Sequence, residues 1–94
     1  MHSGKRITTK DLFESDYFDG LVLYLVDITT YEKAEEFIKS ILTPKEAYFI
    51  GQRTTILALL EEGHTYREIA KLLKVSLSTI ARASRQLLDE RYQI

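Results

Sequence analysis

The chain is 94 residues long, carries a formal net charge of −1, is 45% hydrophobic and contains no cysteine. That length holds one domain or a part of an oligomer, and that apolar share excludes a disordered chain. The missing cysteine removes disulfide frameworks and thiolate metal sites and fits a reducing cytoplasm. No apolar run approaches the roughly 20 residues of a membrane span.

Residues 1–10 are polar and basic and read as a mobile arm; the opening Met-His-Ser-Gly-Lys-Arg has no apolar core and is no signal peptide. Thr9 is placed to cap a first turn through Asp11, Leu12, Phe13 and Glu14. Residues 17–28, YFDGLVLYLVDI, are continuously apolar from Leu21 to Val26. Period alone allows a buried strand there. The chain offers no partner strand, so a helix is expected. A helix apolar on nearly every side is buried on nearly every side, which a chain of this size achieves between subunits. A homodimer is expected, with Leu23 and Leu25 at its core.

Thr29 and Glu32 have capping-box spacing and open a helix through Ser40. Tyr31, Ala34, Phe37, Ile38 and Ile41 would face inward, and Lys33, Glu35, Glu36 and Lys39 would face water. Thr43-Pro44-Lys45-Glu46 is another box, with Pro at the first helical position, where its missing N–H costs nothing. The helix it starts is expected to reach Glu62 and stop at Gly63. Ala47, Ile50, Ile56, Leu57, Leu59 and Leu60 supply its buried surface around Arg53, with Tyr48 and Phe49 adding aromatic bulk.

Residues 65–86, TYREIAKLLKVSLSTIARASRQ, organise the rest. Thr65 and Glu68 form a third box ahead of an apolar stripe at Ile69, Leu72 and Leu73. Ala70 is small where a second helix would cross. Lys74-Val75-Ser76 is a break with an apolar plug and a new N-cap; Lys74 sits where a left-handed residue is often needed, and Gly is easiest there. The second helix would turn Leu77, Ile80 and Ala83 or Ser84 inward and Ser78, Thr79, Ala81, Arg82 and Arg85 outward. Two such helices match a DNA-binding helix-turn-helix. Arg67, Lys71, Lys74, Arg82 and Arg85 stand against Glu68 alone, a local net of +4, so the remainder of the chain sums to −5. Basic charge gathered on the element that would meet phosphate is the footprint of a nucleic-acid reader. Leu87, Leu88 and Tyr92 extend the last helix. The organisation read from this is all-α: one domain over 1–94, with the arm at 1–10, a helical dimerisation core at 11–63, the helix-turn-helix at 64–88 and a C-terminal end at 89–94.

These motifs resemble the tryptophan repressor family and its YerC-type branch. The likeness covers about residues 29–88 through LTPKE at 42–46, Gly51 and Arg53, the LLEEG stop, REI and TIARAS. It implies a Trp-repressor-like all-α homodimer with two reading heads about one DNA turn apart, a docking geometry for which that repressor is itself a known example. It places Thr79 and Arg67 on phosphate and Leu77 and Ser78 at base edges, where thymine methyls and water-mediated contacts are favoured. It matches Arg53 and Arg82 to two arginines that sandwich the effector's indole, with a carbonyl contact near Leu42 and Thr43. Ala83 stands where the family has Gly, Gln86 where it has a small Ser, and the chain stops at Ile94, short of the family's final helix. The added volume predicts DNA binding that needs no tryptophan, with Arg53 in an ion pair between helices or both arginines acting structurally or on phosphate.

The function expected is a cytoplasmic, dimeric, sequence-specific regulator of transcription, a repressor, binding double-stranded DNA without cofactor or metal. The alternative is a helix-turn-helix protein-interaction module within a transcription complex, not binding DNA alone. Catalysis is not expected: His2 lies in the arm, His64 follows a helix end where it suits the dipole, and Glu61 and Glu62 are ordinary exposed carboxylates.

Overall fold

A computed structural model describes residues 7–86 of the chain, with the Gln86 side chain outside that description. The expectations for residues 1–6, His2, Leu87, Leu88, Tyr92 and the 89–94 end also lie outside the described residues. The described chain is all-α: α1 Thr9–Glu14, α2 Tyr17–Asp27, α3 Tyr31–Ile41, α4 Pro44–Glu61, α5 Tyr66–Leu73 and α6 Leu77–Gln86. Its contacts fall into two compact units, Met1–Ile41 and Leu42–Ile94.

In the first unit the caps shift by one residue from expectation. Thr8, not Thr9, caps α1: its Oγ1 accepts from the Asp11 N–H at 3.1 Å, and Asp11 Oδ2 accepts from the Thr8 N–H at 2.7 Å. A box needs an acceptor three residues on, and three beyond Thr9 lies Leu12. Likewise Thr30, not Thr29, caps α3, accepting from the Lys33 N–H at 3.2 Å. The α3 ladder starts with Ala34 N–H to Thr30 O, which moves Glu32 one place too early to reciprocate. Asp16 caps α2 by accepting from the Asp19 N–H. The run 17–27 is a helix, as the want of a partner strand requires.

α1 packs on α2 around Gly20, and the rings of Tyr24 and Phe37 stack with centroids 4.9 Å apart, joining α2 to α3. Yet among the described residues no apolar side chain of this unit is buried. Tyr17 is 97% exposed and Leu25 48%, and Tyr31, Ile38 and Ile41, expected inward, are exposed too.

The second unit closes on itself. Ile56 from α4, Ile69 from α5 and Ile80 and Ala83 from α6 form a buried cluster, backed by Leu59, Leu60, Ala70, Leu73 and Val75. The Thr43–Glu46 box and Pro44 start α4 as expected. Gly63, at φ +95°, ends it: Gly63 N–H bonds Leu60 O and His64 N–H bonds Leu59 O, a Schellman closure. Leu72, expected in the α5 stripe, is 61% exposed. It lies about 60° round the helix from Ile69, beyond the edge of a stripe centred between Ile69 and Leu73. Ile50 is exposed as well.

Candidate nucleic-acid interface

Two local devices fix the α5–α6 pair. At its start, Thr65 Oγ1 accepts from the Glu68 N–H and Glu68 Oε1 accepts from the Thr65 N–H at 2.8 Å. That backbone hydrogen bond holds the Glu68 carboxyl below the usual carboxylate range, helped by His64. His64 sits between two carboxylates, Nε2 3.6 Å from Glu62 and Nδ1 3.7 Å from Glu68. At the turn, Lys74 adopts φ +56°, the one non-Gly positive φ among the described residues. Its N–H and that of Val75 both reach Ala70 O. The required left-handed residue therefore falls on Lys74.

Ser76 then starts α6. Its Oγ accepts from the Thr79 N–H at 3.1 Å and lies 2.9 Å from both Ser78 Oγ and Thr79 Oγ1. Sequence reading assigned Ser76 a cap alone; the S-x-S-T spacing also makes it the hub of three hydroxyls. Ile80 and Ala83 are buried and Ser84 is half-buried, so α6 is docked by the face expected. Leu77 is 47% exposed instead of inward, while Val75 before it packs against the cluster and Ile80 after it is buried in it.

That docking brings the residues singled out for DNA to one short helix. Ser78, Arg82 and Arg85 are exposed, and Thr79 and Ala81 half-buried. Arg67 is exposed on the first turn of α5. Among the described residues, Arg67, Arg82 and Arg85 make no ion pair, so their charge is free for an external anion. Arg53 is likewise exposed and makes no ion pair there, so the expected pair between helices is not formed within one chain. Its neighbours one turn away on α4, Phe49, Ile50, Ile56 and Leu57, are all apolar. Of the other effector positions, Ala83 is 4% exposed within the buried cluster and Thr43 is committed to capping α4.

The Trp repressor protein family matches residues 17–93. The chain belongs to that family. The Trp repressor family consists of helix-turn-helix DNA-binding regulators, and α5–α6 is this chain's copy of the motif. No curated protein and no solved structure matches the chain significantly. No helix among the described residues is long and apolar enough to cross a membrane, and no group of three His, Cys, Asp or Glu residues there could hold a metal ion.

Proposed function

We propose that the chain is a cytoplasmic transcriptional repressor that binds double-stranded DNA as a homodimer and does so without tryptophan. The observation that carries the DNA reading is the helix α6, docked by Ile80 and Ala83 with Ser78, Arg82 and Arg85 outward and unpaired with acid. Arg67 and Thr79 take phosphates, Leu77, Ser78 and Ala81 meet base edges, and Arg82 and Arg85 take phosphate or base edges within reach. No catalytic role is assigned to any residue.

Dimerisation is supported by the exposed apolar side chains of α2 and α3 in the first unit and, separately, of α4 in the second, more than scattered single residues would explain. Tryptophan independence is supported by Ala83, whose methyl already fills space in the cluster where the family keeps Gly. Overfilling a preformed slot costs about 1–3 kcal/mol, roughly a tenfold to hundredfold loss of affinity.

A mobility-shift titration tests the reading. With two to four phosphate contacts per subunit, counterion release predicts a log–log salt slope of about −3 to −6. The shift should be the same with and without L-tryptophan, and calorimetry should detect no micromolar tryptophan binding. Exposed Leu72 on α5 and Leu77 at the head of α6 favour the second reading, a protein-interaction module; absence of any shift at low salt would select it.

A further inference from the structure

A left-handed closure occurs twice in the second unit, each time with the residue after it returning its N–H five places back, but on different residue types. Gly63 fills it after α4 at φ +95°, with His64 N–H returning to Leu59 O. Lys74 fills it after α5 at φ +56°, with Val75 N–H returning to Ala70 O. A side chain in that conformation strains the backbone, whereas glycine adopts it freely. The slot before the reading helix thus holds a strained residue that is also a cation. Lys74 is exposed and makes no ion pair among the described residues.

We propose that Lys74 is a phosphate-contacting residue of the DNA interface, placed by its left-handed turn beside the entering end of α6; this rests on the DNA-binding reading above. One residue, Val75, separates it from Ser76, so its Cα lies within about 7 Å of the Cα of the residue at the centre of the hydroxyl hub. That is less than one Debye length at physiological salt, about 8 Å. A flexible four-carbon stem ending in an ammonium takes phosphate as a point charge, without geometric demand on the base sequence. Lys74 therefore adds affinity for every duplex alike and adds no preference among them. The rival role is structural: a cation at the end of α5 favours the helix dipole.

Titration of the full chain with mixed-sequence double-stranded DNA across a salt series separates the two, with thermal unfolding in parallel. Lys74→Gly and Lys74→Asn should weaken binding about threefold to tenfold at low salt and flatten the log–log slope by about 1 per chain, while Lys74→Arg keeps both. Lys74→Gly should unfold at the same or a higher temperature, because its backbone is unstrained. Lys33→Gln, on α3, removes the same charge elsewhere and should leave the slope unchanged. Variants at Lys74 that bind with wild-type slope overturn the proposal while leaving the DNA reading intact. So does a Lys33→Gln chain that loses as much as Lys74→Asn, or a Lys74→Asn chain that loses thermal stability with its slope unchanged. A wild-type chain that binds no duplex overturns both.

Discussion

The two units of this chain spend similar numbers of residues on opposite kinds of surface. The second buries three isoleucines and an alanine between three helices and leaves its cations outside. The first has helices that are at least as apolar and, among the described residues, buries none of their side chains. Hydrophobic residues are thus no measure of a core by themselves. α5 and α6 carry narrow stripes that meet one another, whereas α2 is apolar around much of its circumference. The helix-turn-helix has its buried cluster within one chain, whereas the described apolar side chains of the first unit stay exposed or half-buried in it.

The contrast breaks most sharply at Leu25. Leu25→Asp should abolish folding altogether, since obligate dimers seldom keep a stable monomer. Sedimentation and far-ultraviolet circular dichroism read this directly, and a folded, monomeric wild type would reverse the interpretation. Leu25 is 48% exposed in one chain, so a monomer would tolerate the aspartate.

Next in size is Ile80→Ala. It opens a cavity in the cluster that docks α6 and should destabilise by about 2–5 kcal/mol, measured by denaturant titration. Duplex affinity should fall with it, because the reading helix loses its anchor.

Thr65→Ala removes one half of the cap on α5 and should cost about 1 kcal/mol. The cap also carries a pH signature. Glu68 and Glu46 are both held below the usual carboxylate range, each chiefly by the backbone N–H of its box threonine. A depressed folded value means stability that is present above the usual carboxylate range and lost as pH falls through the depressed one. Acid unfolding of Thr65→Ala should accordingly show a shallower pH dependence than wild type, because the N–H geometry that favours the charged Glu68 is loosened.

The smallest effect sharpens the comparison at Gly51. A Cβ built there meets nothing within 4 Å in one chain, so Gly51→Ala should raise helix stability by about 0.5–1 kcal/mol. Thermal unfolding gives the sign. A loss instead would mean that another chain lies close against that face of α4.

Sequence alone determined most of what is local. The Thr43 and Thr65 boxes, Pro44 at the head of α4, Gly63 at its end and the left-handed slot at Lys74 are each set by residues within one or two turns. Hydrogen bonds of that range depend only on the spacing of a few side chains. Even so, neighbouring threonines misled it twice, at Thr8 and Thr30, where the choice hung on which residue lay three places on. The inward face of α6 was legible because Ile80 and Ala83 recur at helical period. Tertiary structure decided what period cannot: that Leu72 and Leu77 fall outside the cluster, that Arg53 meets no carboxylate among the described residues, and that Ser76 gathers the Ser78 and Thr79 hydroxyls. Burial and pairing depend on which surfaces meet, and an apolar run states only that a side chain leaves water, never what it leaves water for.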